Sequence, residues 1–170
     1  KDAVKSFTNA WNNFEGNQKE ILQDLYINNN PHPTGSKDEL DRAAADNTIY
    51  SEFHEAYHPW FRTFLRDRGY YDIFLFDLEG NLVYSVFKEL DYATNMNSGQ
   101  YKDTDLANSF RAALNGSAFE QHFFDFKPYA PSFDAPASFI STPIVDSNEN
   151  KIGVLVYQMP IDAINEIMGS

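Results

Sequence analysis

Apolar positions change period along the chain, and each change marks a new element. From the start, Val4, Phe7, Trp11, Phe14, Ile21 and Leu25 recur at steps of three and four, with polar Gln18 interrupting them. That spacing predicts one face of a long helix. The stretch Asn28 to Gly35 (NNNPHPTG) is dense in residues that break regular structure and predicts a loop. Ser36 and Glu39 have capping-box spacing ahead of Leu40, Ala43 and Ala44, which predicts a short helix. A longer helix follows on Tyr50, Phe53, Tyr57, Phe61, Phe64 and Leu65. Pro59 is expected to kink or restart it, and Gly69 to end it.

From Tyr70 the period shortens. Ile73 to Phe76 is an apolar run, Leu82 to Phe87 is rich in β-formers, and Asp77-Leu78-Glu79-Gly80-Asn81 between them predicts a hairpin turn. Beyond a polar loop, Asp103 or Thr104 can cap a helix carrying Leu106, Phe110 and Leu114, ended by Gly116. Three strands are then expected near Phe119 to Lys127, Ala137 to Ile144 and Ile152 to Met159, the last two joined by a polar turn through Asp146 to Asn150. Pro160 can open a final helix with Ile161, Ile164 and Met168 on one side. Helices, a hairpin, a helix and a meander define an α+β fold: an antiparallel sheet of about five strands with helices packed on it and no βαβ repeat. The 170 residues suit a single domain, with residues 1–68 helical, 70–160 forming the sheet part and 161–170 starting an exit helix.

Composition narrows the function. A formal net charge of −12 disfavours nucleic acid and anionic membrane surfaces as partners. No apolar run reaches the ~18 residues of a membrane span. The absence of cysteine removes disulfides, thiolate metal sites and cysteine nucleophiles, and suits a cytoplasm or a bacterial periplasm alike. Starting at Lys1 with no signal peptide, the chain reads as part of a longer protein. His54-Glu55-Ala56-Tyr57-His58 is a literal H-E-x-x-H, the pattern by which a helix offers zinc two imidazoles and a general base. Against a metallopeptidase stand Pro59, expected to disturb helical geometry at His58, and the lack of an evident third ligand. The alternative places both histidines at a partly exposed kink, with Phe53 and Tyr57 facing the core. No phosphate loop or nucleophile elbow occurs, so no enzyme and no cofactor are expected.

The hairpin YDIFLFDLEGNLVYSV (Tyr71 to Val86) resembles the first hairpin of Cache sensor domains. The stretch YAPSFDAPASFISTPIVDSNENKIGVLVYQMPIDAI (Tyr129 to Ile164) resembles their loop, Thr-Pro-Ile step, polar turn, I-G-V-L strand and exit helix. The run HPWFRTFLRDRGYYDIFLFD is most similar to the chemotaxis group. This resemblance implies a PAS-like periplasmic domain of an inner-membrane receptor, flanked by membrane helices and homodimeric in the full-length protein. Such a receptor signals to a methyl-accepting chemotaxis module, a histidine kinase or a cyclase. The resemblance also implies a small-molecule pocket between the sheet and its long connections. Aromatic residues beside cations suit such a pocket, since rings supply burial and Arg or Lys holds an anion. The candidates are Trp60 and Arg62 before the sheet; Tyr84, Lys88 and Tyr92 on or after the second strand; Asp125, Lys127 and Tyr129 at the end of the third; and Ser141 on the fourth. Arg62, with a planar fork, and then Lys127 are the expected grips on an organic acid or amino acid.

Overall fold

A computed structural model describes residues 1–44 and 46–161. The expected final helix lies mainly outside the described residues, which reach Ile161. Five antiparallel strands form one sheet in the order β2-β1-β5-β4-β3: β1 Asp72–Phe76, β2 Leu82–Ser85, β3 His122–Tyr129, β4 Ala135–Val145 and β5 Lys151–Met159. The helices are α1 Asp2–Asn12, α2 Gln18–Gln23, α3 Ile49–Arg68 and α4 Asp105–Asn115. This is the expected α+β, PAS-like architecture.

The sheet is covered on both faces, which is why β1 after Asp72 is a continuous apolar run and every one of its residues is buried. Ile73 and Leu75 join the core under α1 and α3, together with Val4, Phe7, Trp11 and Leu65. Phe74 and Phe76 join a second core under α4, with Leu106, Phe110, Phe139 and Val156. The outer edge of β2 is closed by the following connection, through Leu82 N–H to the Thr94 carbonyl (3.0 Å) and Ala93 N–H to the Leu82 carbonyl (3.1 Å). Taking both backbone groups of Leu82 in this way blunts that end of the edge as a template for further pairing.

Local chemistry explains the turns. In the first hairpin Asp77 Oδ1 accepts the Glu79 and Asn81 N–H groups, each at 2.9 Å, while Gly80 takes φ 90°. Asp146 repeats the arrangement with Asn148 and Asn150, each at 2.9 Å, and Glu149 occupies the left-handed position at φ 64°. Thr104 caps α4 through the Ala107 N–H, and Gly69 ends α3 in the left-handed region at φ 72°.

The helical part departs from expectation at several points. The long first helix is broken: Gly16 takes φ 109° and Asn17 caps a new helix, so Leu22 and Tyr26 are buried where Ile21 and Leu25 were expected. Ser36 makes no side-chain cap, and Lys37–Glu39 forms a single 3₁₀ turn. Pro59 neither ends nor restarts α3, which runs through it. His54 and His58 are fully buried and Phe53 and Tyr57 only partly, because the imidazoles find carbonyl and hydroxyl partners inside.

Helix α1 sits against the sheet at Gly153. A Cβ there would stand 2.6 Å from the Phe76 carbonyl oxygen and 2.7 Å from a Val4 methyl. Neither can withdraw without lifting α1 or parting β1 from β5. Gly153→Ala should therefore cost about 2–3 kcal/mol in chemical denaturation, the scale of overpacking in a dense core.

Candidate ligand-binding site

The aromatic and basic residues picked out in the sequence divide between the two faces of the sheet. Under α3, the Tyr84 hydroxyl donates to His58 Nδ1 (2.7 Å), and His58 Nε2 donates to the Asp38 carbonyl (2.6 Å). That carbonyl can only accept, which fixes the tautomer. Burial and then the nearby Lys88 charge push the His58 pKa down to about 2, so the ring is neutral. His54 stacks on it at 4.4 Å and bonds the Asp41 carbonyl through Nδ1 (2.7 Å). Lys88 is buried with its ammonium over the rings of Tyr84 (4.5 Å), Tyr92 (5.1 Å) and Tyr26 (5.7 Å), and it donates to the Ser85 carbonyl. Burial lowers its pKa to about 7, with the charges of Asp72 and Asp38 opposing the fall. The Tyr92 hydroxyl donates to that of Tyr50 (2.7 Å), which donates to the Val83 carbonyl (2.6 Å).

Arg62 is engaged within the fold. Its guanidinium pairs with Asp41 (2.6 Å) and donates to the Asp38 carbonyl (2.9 Å), tying the 36–44 segment to α3. Trp60 is 61% exposed and stacks on Phe64 beside an apolar groove of about 370 Å³ formed with Phe61, Leu75 and Tyr157. Lys127 belongs to the other face, where it is exposed and lies 3.5 Å from Asp105. The expected basic pocket is therefore not assembled: Arg62 and Lys127 sit on opposite sides of the sheet, each beside its own carboxylate. Asp125 is exposed and accepts only the Phe126 N–H (2.8 Å).

The α4 face carries a different constellation. Phe139, Gln158 and Asp72 form one cross-strand row, and Ser141, Val156, Phe74 and Ser85 form the next. Over this end of the sheet the connection after β2 brings Glu89 and Asp91. Asp72 Oδ1 accepts the N–H groups of Ile73 (2.8 Å), Val86 (3.1 Å) and Phe87 (3.2 Å). Asp91 Oδ2 accepts the Tyr129 hydroxyl (2.7 Å). Glu89 accepts the hydroxyls of Tyr71 (2.9 Å) and Ser132 (3.1 Å), and Gln158 donates to Ser132 (3.0 Å). Asp72, Asp91, Glu89 and Gln158 are all buried. Yet Asp72 Oδ2, Asp91 Oδ1, Gln158 Oε1, Ser85 Oγ and Ser141 Oγ have no hydrogen-bond partner among the described residues. None of the three acids forms an ion pair with a Lys or Arg among those residues. Burial, reinforced by the neighbouring acids, holds Asp72 well above the carboxylate range and Glu89 at about 7; burial raises Asp91 to about 6.

Tyr129 joins this cluster to an opening. Its ring packs edge-on to Phe139 at 5.2 Å, and both line a cavity of about 400 Å³ between the start of α4 and strands β3 and β4. Asp103, Asp105, Asp134 and Lys127 also line it. Of the sequence candidates, Tyr129 and Ser141 thus lie on the α4 face, while Tyr84, Lys88 and Tyr92 are buried under α3. Asp72, Glu89, Asp91, Ser132 and Gln158 were missed. A search for cations beside rings passes over acids, and the available signal was Asp72 at the head of an apolar run that would be buried on both faces.

Neither a family model nor a curated protein sequence matches the chain. Among solved structures it is similar to the sensor domain of the V. cholerae histidine kinase DctB, at 14% identity and a TM-score of 0.51, over 97% of this chain and 58% of that one. It is also similar to the E. coli DcuS sensor domain, at 18% identity and a TM-score of 0.46, over 64% of this chain and 69% of that one. The chain thus shares the PAS-like fold of the DctB sensor domain, while spanning little more than half of its length.

Glu89 provides a test of this electrostatic arrangement. Its ordinary pKa of 4.5 rises to about 7 on folding, so between these values the folded protein keeps a proton that the unfolded chain loses. Its contribution to stability is full below about pH 4.5 and falls as pH rises through 7. Glu89→Gln removes that fall; its amide oxygen keeps an acceptor for one of the two hydroxyls, and its NH2 can donate to the Tyr71 oxygen. Relative to the parent, the variant should gain on the order of 2 kcal/mol between pH 4.5 and 7.5, read from denaturation midpoints across that range.

Proposed function

We propose that this chain is the extracytoplasmic sensor domain of a transmembrane receptor, binding a small molecule over the α4 face of its sheet. The observation that carries the reading is the group of buried, unpartnered polar atoms beside a cavity on that face. Buried polar atoms are nearly always satisfied, and a ligand that partners them stabilises whichever arrangement presents them best. The shared fold and the Cache resemblance of the first hairpin and last strands support the same reading. No reaction is needed: a ligand shifts a two-state receptor by its differential affinity alone.

The output module is a methyl-accepting chemotaxis module in the first instance, on the resemblance of residues 58–77. A histidine kinase is the second reading, favoured by the likeness to the DctB sensor domain. In either receptor the domain works as a homodimer, anchored by membrane helices beyond it; no described helix is itself long and apolar enough to cross a membrane. Alkaline phosphatase fused to this domain in the full-length receptor should be active, reporting an exterior position. Activity only from a cytoplasmic reporter would refute the assignment.

His54 and His58 act structurally in this reading. Both His58 nitrogens are engaged, and Glu55 faces outward 3.5 Å from Arg42. Elemental analysis of the purified domain should find zinc well below one per chain. Stoichiometric zinc lost on replacing either histidine would restore the peptidase alternative.

A further inference from the structure

Resting on the sensor reading above, we propose that the α4-face site takes a small primary ammonium compound, its charged nitrogen held by Asp72, Asp91 and Gln158. The site's hydrogen-bond inventory points to a donor. The hydroxyls of Tyr71, Tyr129 and Ser132 and the Gln158 amide N–H are all spent within the cluster. What remains is three carboxylate and amide oxygens that accept, Asp72 Oδ2, Asp91 Oδ1 and Gln158 Oε1, each on a side chain at most 2% exposed, and the Ser85 and Ser141 hydroxyls one row away, which can also accept. An ammonium has three donors and no acceptor, which matches those three oxygens.

Charge points the same way. Glu89 and Asp91 raise the proton affinity of Asp72, Asp91 raises that of Glu89, and no described Lys or Arg forms an ion pair with the three. Buried carboxylates without a counter-ion are costly, and a bound cation relieves that cost where an anion would add to it. Gln158 extends the argument beyond the acids. It is a neutral side chain directly across from Asp72, linked through Ser132 to Glu89, yet its carbonyl oxygen has no partner among the described residues.

The approach to the cluster is also acidic. Asp103, Asp105 and Asp134 line the cavity, where Lys127 is the one described cation and already faces Asp105. Tyr129 stands between, its ring in the cavity wall and its hydroxyl on Asp91 Oδ2, which leaves Asp91 Oδ1 for the ligand. A bare metal ion is the poorer fit, because no group of three described acids and histidines is arranged to ligate one.

The test is thermal unfolding of the purified domain at pH 8, where Glu89 and Asp91 are ionised and alkylamines remain protonated. The probes are the chlorides of a primary amine series from methylamine to butylamine, ethanolamine and putrescine. Butyrate, butanol and calcium chloride at matched ionic strength are the comparisons. At least one amine should raise the melting temperature by about 4 °C or more at 10 mM, and that rise should disappear in Asp91→Asn and in Gln158→Met. The first substitution keeps an acceptor for Tyr129 and the second keeps the shape of the side chain, so either variant serves if the other fails to fold. A shift from butyrate or butanol alone, lost in the same variants, overturns the cation and leaves the sensor reading standing. A calcium shift lost in Asp91→Asn replaces the amine with a metal. No amine shift, or one that survives both variants, overturns the proposal, while the reporter fusion judges the sensor reading separately.

Discussion

The carboxylate of Asp72 gathers three backbone N–H groups, one from its own strand and two from the residues just past β2. Those bonds end the hairpin and turn the chain back over the sheet. Without them Val86 would keep only its longer bond to the Ile73 carbonyl (3.3 Å), Phe87 would have to find another partner, and the connection carrying Glu89 and Asp91 would lose its starting direction. The pairing of Gln158 with Asp72, the seat of Ser132 and the position of Tyr129 all depend on that course. A single acid thus both organises the site and leaves an oxygen facing into it.

The two faces of the sheet differ in how far they are satisfied. Under α3 the polar groups form closed chains, such as Tyr92 to Tyr50 to Val83 and Tyr84 to His58 to Asp38. Only His54 Nε2 among that tyrosine and histidine cluster lacks a partner among the described residues. Closed networks of this kind rigidify a core, whereas open ones are where binding energy can be gained. In the proposed sensor the face that holds the long helix is accordingly the scaffold, and the α4 face is the one that meets the ligand.

Much of this architecture was legible in the sequence because short-range chemistry set it. Asp77 to Asn81 turns the first hairpin with an Asp side chain and a left-handed glycine, Thr104 and Gly116 bound α4, and alternation marks β4 and β5. The N-terminal part was less legible. A stripe of apolar residues at helical spacing does not reveal that Gly16 will reset the helix, nor that Pro59 will be carried through one. The histidines were expected at a partly exposed kink, but the carbonyls that accept them belong to Asp38 and Asp41, in a segment whose path no local pattern specifies. The acids of the site stayed hidden for the same reason. Glu89 and Asp91 lie in a polar stretch that reads as an exposed loop until Asp72 and β1 bend it inward.

Between residues 88 and 92 the chain serves both cores, sending Lys88 and Tyr92 to the tyrosines under α3 and Glu89 and Asp91 to the cluster on the other face, while Leu90 is exposed. One peptide bond separates the ammonium in its aromatic cage from a carboxylate across the sheet. The two cores therefore share a hinge pin and cannot be tuned as separate parts. Tightening the grip on one side strains the other, so mutations around Lys88 and mutations around Asp91 will fail to add in a thermodynamic cycle, although no side chain passes between them.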